Sequence, residues 1–489
     1  LLPPDPRFAG ERWLEMWRHR LEHAPELAFD WVSHQWRDDF WRQGSVAEDY
    51  GAIECPVMVV GGWADAYTNA VPRLLAHLDV PRLGLIGPWG HMLPHEGVPG
   101  PTMDFLGEAV RWWDTWLKGI DSGMMQEPFL RAWMQDYVPP ATFHAVRPGG
   151  WVQVDSWPPD DVATVSLRLT SEGMLAGPAH LESGGPAEVS PDDDRPFPHV
   201  DIRGRQECGE TAGVWCANGY EDEIAGEQSP DDERSLCFTT PPLSGTLEVL
   251  GFPVARLRVR ADRPQALVGV RVEDVAPDGS SLLVSWGMLN LSHRDSHEAP
   301  APLQPGLWYD VRIESRVCAH RFAAGHRLRL ALSPTYWPHA WPSPQVVTLS
   351  VAVDGPSRLE LPVRIPSVVT ERSDRAGALS TEVSSSGAGG SERAGEPYGA
   401  VGSDAAGDAA SDDDGYDRRR REIRVDQETG LHQIIDREAH ERTIASTGAR
   451  YRDTMTDVYS IVEDEPLSAR VRCSRETSSP GGAVDWLVE

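Results

Sequence analysis

The stretch that decides the fold is VVGGWADAYTNAVPRLLAHLDVPRLGLIGPWGHMLPHEG, residues 59–97. Two apolar runs of strand length, CPVMVVGGW at residues 55–63 and RLGLIGPW at residues 82–89, flank a segment with the period of a helix. Continuous apolar runs of this length are typical of parallel strands that are covered on both faces. A strand, a helix and a second strand therefore predict a right-handed crossover unit in a parallel sheet.

The pattern changes further along the chain. TMDFLGEAVRWWDTWLKG, residues 102–119, predicts a second helix that stops at its terminal glycine. Its apolar positions predict a buried face formed by Phe105, Val110, Trp113 and Trp116. After residue 128 the apolar period becomes two, as in VARLRVRA at residues 254–261. Many short strands with turns between them predict a β-sandwich, and a jelly roll is the expected topology.

Length and charge narrow the class of protein. A chain of 489 residues is too long for one ordinary core, and its 19 tryptophans favour a folded protein. The formal net charge of −30 disfavours nucleic acid or an anionic membrane as a partner. No apolar run approaches the roughly 20 residues of a membrane span, and no signal-like segment opens the chain. We therefore expect a cytoplasmic protein, and homo-oligomerisation stays open.

The cysteines and histidines do not have the spacing of a metal site. The six cysteines include no C-x-x-C pair, so a structural zinc site is not expected. Cys208 and Cys216 could pair in an oxidising compartment, and free thiols are the favoured alternative. His91 and His95 are four residues apart, but Pro94 between them disfavours a helical pair of ligands. We expect neither a metal nor an organic cofactor.

An acid and a histidine follow the two predicted strands of the crossover unit. Asp65 comes after the first strand and His91 after the second. In open α/β sheets functional groups collect beyond the carboxyl ends of the strands, so the two side chains should meet. An acid that orients a histidine, and a histidine that transfers a proton, are two parts of a Ser-His-Asp triad. The alternatives are a helix cap for Asp65 and an ordinary surface role for His91.

Two short motifs, G-W-A-D at residues 62–65 and G-P-W-G-H at residues 87–91, carry a resemblance to a known family. They resemble the G-W-x-D and G-P-W-x-H segments of the family that joins cocaine esterase, X-prolyl dipeptidyl peptidases and α-amino-acid ester hydrolases. The resemblance extends over most of residues 25–365. It implies a serine hydrolase in which Asp65 is the triad acid, His91 is the triad histidine, and an α/β-hydrolase domain is followed by a jelly roll.

The chain departs from that family at the nucleophile. It contains no G-x-S-x-G segment, and the nearest stretches, PDGSSLL and ESGGP, lack the second glycine and a strand-to-helix context. The resemblance therefore implies that the serine and the oxyanion donors lie upstream of Leu1. Residues 1–489 alone should then be inactive, because no hydroxyl is activated beside the imidazole.

Tyr67 is a candidate substrate-binding residue. Tyr67 and Thr68 stand where the amino-acid ester hydrolases of the family have carboxylates that bind an ammonium group. In the cocaine esterase branch an aromatic residue two places after the triad acid lines the acyl pocket, and Tyr67 is similar to that residue. The resemblance therefore favours uncharged recognition of an acyl group, with helix packing as the alternative role for Tyr67.

The predicted function is hydrolysis of a small-molecule ester or amide by a serine hydrolase. One alternative is an X-prolyl dipeptidyl peptidase or an acylase that uses the same catalytic triad. Another is a non-catalytic β-sandwich that binds a ligand. The expected fold class is a partial α/β hydrolase with an all-β jelly roll. Its five expected parts are the end of a helical cap (1–50), the C-terminal part of the hydrolase domain (51–128), the jelly-roll sandwich (129–370), a disordered linker (371–417) and a further, incomplete β-rich segment (418–489).

Overall fold

The computed structural model describes residues 4, 6–25, 27–177, 197–365, 417–426, 429, 431–444, 449–462 and 468–478. The predicted linker at residues 371–417 lies outside these residues, apart from its last position. The helices are α1 (Pro6–Ala9), α2 (Trp13–Glu22), α3 (Leu27–Ser33), α4 (Asp39–Arg42), α5 (Ala70–His77), α6 (Phe105–Lys118) and α7 (Ser229–Asp232). No helix among the described residues is long and apolar enough to cross a membrane.

The strands among the described residues fall into three sheets. The first ten are β1 (Val57–Gly62), β2 (Arg82–Gly87), β3 (Leu130–Asp136), β4 (Gly149–Val154), β5 (Val162–Leu169), β6 (Leu175–Ala176), β7 (His199–Arg203), β8 (Leu236–Thr239), β9 (Leu247–Gly251) and β10 (Val254–Ala261). The next seven are β11 (Leu267–Val275), β12 (Ser281–Asn290), β13 (Tyr309–Glu314), β14 (Cys318–Phe322), β15 (Arg327–Ser333), β16 (Thr348–Ala352) and β17 (Arg358–Arg364). The last four are β18 (Asp417–Asp426), β19 (Leu431–Ile444), β20 (Ala449–Val462) and β21 (Ser468–Ser478).

The crossover unit forms as the apolar pattern predicts. Strands β1 and β2 pair in parallel along their whole length, so that Val57 lies beside Arg82 and Gly62 beside Gly87. Helix α5 connects them and buries Val71 and Leu75. The carboxyl ends of the two strands therefore lie side by side at one edge of the sheet.

Strand β3 joins the parallel part of the fold to the rest. It pairs in parallel with β2 and also with β14, although the period-two pattern assigned residues after 128 to the sandwich. Alternate side chains of β3, Leu130, Ala132 and Met134, are fully buried. Because a covered parallel strand and a sandwich strand can share this alternation, the sequence pattern did not separate them.

One sheet runs from the crossover unit into the sandwich. Its main path is β1-β2-β3-β14-β9-β17-β10-β16-β7, and a second sheet has the order β12-β11-β15-β8. The two sheets share a core to which β10 contributes Leu257, β11 contributes Val270 and β15 contributes Leu330. The alternating side chains of VARLRVRA are buried on one side of β10, as the period of two predicts.

The buried face of α6 differs from the prediction. Trp112 is the buried residue of this helix and packs on Leu83 and Met124, whereas Val110 and Trp113 are each more than half exposed. The predicted face was correct for Trp116, which is partly buried against this cluster, and wrong for Val110 and Trp113. Apolar residues surround this helix, so periodicity alone did not select the side in contact with the sheet. The predicted stop is correct, since Gly119 ends the helix in the left-handed conformation with φ of 68°.

Strands β18 to β21 form a separate antiparallel meander. Ile434 of β19 and Ile461 of β20 pack against Trp337 of the sandwich region. The Arg421 guanidinium of β18 pairs with Asp436 and donates to the carbonyl of Gly213 at 2.7 Å. These contacts attach the meander to two segments, the one between β7 and β8 through Gly213 and the one between β15 and β16 through Trp337.

Charged side chains are buried in the second sheet. The Arg271 guanidinium of β11 donates to Asp232 Oδ1 and to Glu273 Oε1, each at 2.8 Å. Asp232 also pairs with Arg329 of β15. Because guanidinium groups lie against both carboxylates, these charges are compensated within the sandwich.

The substitution Arg271→Met tests this buried cluster. It should lower the free energy of unfolding by about 3–5 kcal/mol, because it leaves the buried Glu273 without the cation of its own strand. Urea denaturation followed by tryptophan fluorescence measures the change.

Two further variants serve as controls for this prediction. Arg271→Met combined with Glu273→Leu should recover most of the loss, since both charges are then removed. Lys118→Met, which removes an exposed pair with Asp114, should stay within about 1 kcal/mol of the wild type. A double variant no more stable than Arg271→Met would rule out an unpaired charge as the cause.

Candidate active site

Asp65 and His91 meet at the carboxyl ends of adjacent parallel strands. His91 Nδ1 lies 3.1 Å from Asp65 Oδ2. The other carboxylate oxygen of Asp65 accepts a hydrogen bond from the backbone N–H of Tyr67 at 3.0 Å. The Asp65 side chain is largely buried, whereas the His91 side chain is 54% exposed. A carboxylate at Nδ1 favours the tautomer with the proton on Nδ1, which leaves Nε2 with a free lone pair.

The turns that carry these two residues are packed backbone against backbone. The N–H of Ala64 donates to the Trp89 carbonyl at 3.0 Å, and the N–H of Trp63 donates to the Gly87 carbonyl at 2.9 Å. A Cβ on Gly62 would lie 2.0 Å from the Trp89 carbonyl oxygen. Only glycine at position 62 therefore permits this approach, which sets the distance between Asp65 and His91.

A loop between β7 and β8 closes the site from the sandwich side. The N–H of His91 donates to the Ala217 carbonyl at 2.6 Å. Cys216 Sγ lies 3.9 Å from Asp65 Oδ1. Burial raises the pKa of the Cys216 thiol, so the thiol is protonated at neutral pH and can donate to the carboxylate.

The sequence did not reveal the role of this loop. Its residues lie about 150 positions from Asp65 and have neither strand nor helix periodicity. Cys208 and Cys216, which were candidates for a disulfide, are both free thiols. The only available signal was the presence of several glycines and a buried cysteine between two strands, and that signal does not specify a contact.

The remaining predicted residues lie at different distances from this pair. The ring of Tyr67 lies 5.6 Å from the His91 ring, and Tyr67 is 64% exposed. His95 stacks on Phe105 instead and does not join the pair. Among the residues that the structure describes, His91 receives no hydrogen bond from a serine hydroxyl.

Three donor atoms could also hold a metal ion. Donor atoms of Asp65, His91 and Cys216 lie within 4.8 Å of one another. The Asp65 oxygens already accept hydrogen bonds from His91 and Tyr67. Both carboxylate oxygens therefore already have donors, and the arrangement fits a carboxylate that orients an imidazole. The imidazole itself is partly exposed to solvent.

Two family models match the chain. The model described as the X-Pro dipeptidyl-peptidase C-terminal non-catalytic domain matches residues 122–362. The model described as X-Pro dipeptidyl-peptidase (S15 family) matches residues 5–93. The second match contains both Asp65 and His91.

Curated relatives agree with these matches. A Mycobacterium bovis protein named as a serine esterase is 27% identical over 320 residues, which are 60% of this chain and 46% of that protein. The cocaine esterase of a Rhodococcus species is 21% identical over 324 residues, which are 63% of this chain and 53% of that protein. The chain thus spans about half the length of the curated relatives that it matches.

A solved structure shares the fold. The CocE/NonD family hydrolase of Staphylococcus aureus superposes with a TM-score of 0.53 at 14% identity, covering 74% of this chain and 64% of that one. The matched proteins are thus of one class, the serine esterases and X-prolyl dipeptidyl peptidases. The chain belongs to this family, the CocE/NonD-type serine hydrolases, as the G-W-x-D and G-P-W-x-H motifs indicated.

Substitution of Gly62 tests the close packing of the two turns. Gly62→Ala should lower the free energy of unfolding by more than about 2 kcal/mol, because its methyl group would overlap the Trp89 carbonyl. Gly150→Ala is the matched control, since a Cβ there meets nothing within 4 Å. Urea denaturation of both variants gives the comparison, and equal stability of the two would refute the packing argument.

Proposed function

We propose that this chain supplies the acid and the histidine of a serine hydrolase that cleaves a small-molecule ester or amide. The observation that carries the proposal is the 3.1 Å contact between His91 Nδ1 and Asp65 Oδ2 at the ends of β1 and β2. Its support is the combination of this contact with a buried acid and an exposed imidazole. An aspartate that only caps a helix, or a histidine that is only part of the surface, would not require a buried carboxylate and an exposed imidazole in contact at the ends of adjacent strands.

In this mechanism the serine comes from a further segment of polypeptide. His91 Nε2 takes the proton of the serine hydroxyl while the oxygen attacks the substrate carbonyl, and the proton then passes to the leaving group. Asp65 holds the imidazole and stabilises its cation. A water molecule repeats the sequence to release the acid product and regenerate the serine. Donors for the oxyanion are also assigned to the further segment.

Two exposed surfaces support the proposal that a further segment of polypeptide packs beside β1. Strand β1 lies at the end of its sheet and pairs with β2 alone among the described residues. An edge strand with the composition of a central strand favours pairing with another strand. On α6, side chains at three- and four-residue spacing are each at least half exposed, namely Leu106, Val110, Trp113, Leu117 and, just beyond the helix, Ile120. An apolar stripe of this length is typical of a covered surface.

The organisation that follows is part of the proposal. Residues 1–50 are the end of a helical cap, and residues 51–128 are the last part of an α/β-hydrolase domain. Residues 129–370 are a sandwich of jelly-roll topology that β3 joins to the hydrolase part, and strands β18 to β21 are an additional β-rich segment. A cytoplasmic location and a homo-oligomer complete the proposal.

The rival substrate class is an X-prolyl peptide or another amide. The descriptions of the two matching family models favour it, because both refer to X-Pro dipeptidyl peptidases. Tyr67 and Thr68 carry no charge to bind a substrate ammonium group, which favours an uncharged acyl group and hence the esterase. Turnover of p-nitrophenyl esters against X-prolyl p-nitroanilides by the same preparation discriminates the two.

The hydrolase proposal predicts that activity requires the further segment. Residues 1–489 alone should not hydrolyse p-nitrophenyl esters above background, because no serine is paired with His91. A longer polypeptide that includes the preceding sequence should hydrolyse them. In that polypeptide His91→Ala should lower kcat by on the order of 10⁴-fold or more, and Asp65→Asn by about 10⁴-fold.

His95→Ala is the control for these variants, because His95 lies four residues from His91 and stacks on Phe105 outside the pair. It should keep most of the activity. Serine-reagent-sensitive hydrolysis by residues 1–489 alone would disprove the assignment, and so would a longer polypeptide that is indifferent to both His91→Ala and Asp65→Asn.

Tyr67 should affect acyl-group selection rather than proton transfer. In the longer polypeptide, Tyr67→Ala should lower kcat/KM for a benzoyl ester by about tenfold or more, and by less for an acetyl ester. The exposed ring beside His91 is the reason, since it can contact a large acyl group. Tyr50→Ala is the matched control, because Tyr50 stacks on His77 instead. Equal losses on both esters would exclude a role in the acyl pocket.

A further inference from the structure

The meander of strands β18 to β21 contributes a charged pair to its contact with the rest of the chain. Arg421 of β18 lies directly opposite Asp436 of β19 in the antiparallel register. Its Nε and Nη2 donate to the two oxygens of that carboxylate at 2.7 and 2.8 Å, and both side chains are at most 10% exposed. The strand pairing and this two-point contact therefore fix the direction of the guanidinium.

The third nitrogen of this guanidinium reaches beyond the meander. Arg421 Nη1 donates to the carbonyl of Gly213 at 2.7 Å, and no backbone N–H of the described residues donates to that carbonyl. Gly213 has a φ of 74°, and a Cβ there would lie 2.5 Å from the Glu223 carbonyl oxygen. The hydrogen bond thus reaches a backbone position that requires glycine.

Residues 213–223 form a loop that is closed on itself. The N–H of Val214 donates to the Glu223 carbonyl at 2.8 Å. The Glu223 carboxylate accepts from the amides of Asn218 and Tyr220, at 2.6 and 2.9 Å. A displacement at the start of this loop is therefore passed on to its middle.

The middle of the loop makes two contacts with the proposed catalytic pair. The Ala217 carbonyl accepts from the N–H of His91 at 2.6 Å. Cys216 Sγ lies 3.9 Å from Asp65 Oδ1. These two loop residues follow closely on the one that accepts from Arg421, so the meander and the histidine turn hold the same loop from two sides.

A cavity of about 260 Å³ separates part of this loop from the meander. It is lined by Val214, Trp215 and Cys216 of the loop and by Arg421, Asp436 and Tyr459 of the meander. Trp215 packs on the sandwich side instead, with its ring centre 5.3 Å from that of Trp286. Because packing between the loop and the meander is incomplete here, the loop depends more on the hydrogen bond from Arg421.

We infer that Arg421 is a positioning residue for the catalytic pair, on which it acts through the loop of residues 213–223. It fixes the start of the loop to the meander, and the loop in turn supports the turn of His91 and contacts Asp65. The meander is then a remote support of the active site and not a wall of it. This role rests on the proposed hydrolase function, whereas the support of the loop can be tested without it.

The first test uses residues 1–489 and the reactivity of Cys216. In Arg421→Met the loop loses a support, so the thiol becomes more exposed, and its alkylation by iodoacetamide should be at least about threefold faster than in the wild type. Cys55, which is exposed, should react at the same rate in both proteins. Cys318, which is buried in the sandwich core, should stay unreactive, whereas a general loosening of the fold would expose it too. Peptide mass spectrometry measures the three rates.

Two further variants complete this test. Arg424→Met removes an exposed arginine of the same strand that pairs with Glu422, and it should leave the rate for Cys216 unchanged. Arg421→Lys keeps a donor but cannot make the two-point contact and reach Gly213 at once, so its rate should lie between those of the wild type and Arg421→Met. Equal Cys216 rates in the wild type and Arg421→Met would overturn the inference. If Arg421→Met does not fold, a wild-type rate in Arg421→Lys would overturn it.

The second test uses the longer polypeptide that includes the preceding sequence. Arg421→Met should lower kcat for a p-nitrophenyl ester by about three- to tenfold and change KM by less than about twofold, because the catalytic pair shifts while the substrate contacts stay. Arg424→Met should keep the wild-type kcat, and equal kcat values for the two variants would refute the positioning role. A wild-type longer polypeptide without activity would instead refute the proposed function and with it the catalytic part of this role. The alkylation rates would then still decide whether Arg421 holds the loop.

Discussion

The hydrogen bond from the His91 amide to the Ala217 carbonyl, 2.6 Å long, is the contact on which the geometry of the site depends. It fixes the histidine turn against a loop that belongs to the sandwich. The Gly62 and Trp89 backbones meet beneath the same turn, so the histidine is held from two sides. A shift of either support would change the distance between the imidazole and Asp65.

This constraint makes the sandwich part of the site. The family model that matches residues 122–362 is described as a non-catalytic domain, yet in this chain that region contributes Ala217 and Cys216 to the surroundings of Asp65. The continuous sheet through β3 and β14 fixes the region relative to the crossover unit. We interpret its role as positioning, because none of these contacts involves the open Nε2 side of His91.

The sequence predicted the features that depend on local pattern. The strands around Gly62 and Gly87, and the meeting of Asp65 with His91, follow from apolar runs and from the geometry of a parallel sheet. The alternation of VARLRVRA likewise gave the buried side of β10. In each case one short segment contained all the information that was needed.

Features that depend on contacts between distant segments were not predictable in this way. The covered side of α6 is selected by Leu83 and Met124, and the loop at Ala217 is selected by a contact across more than a hundred residues. Periodicity contains no information about such pairs, because it reports only the face that a residue occupies.

The central claim is that Asp65 and His91 serve a serine from a further segment of polypeptide. The measurement that tests it most directly is fluorophosphonate labelling of the longer polypeptide, with the modified residue located by peptide mass spectrometry. We expect a single labelled serine, within a G-x-S-x-G sequence that precedes residue 1, and loss of the label in His91→Ala. A label on a serine within residues 1–489, or labelling that is unchanged by His91→Ala, would contradict the claim.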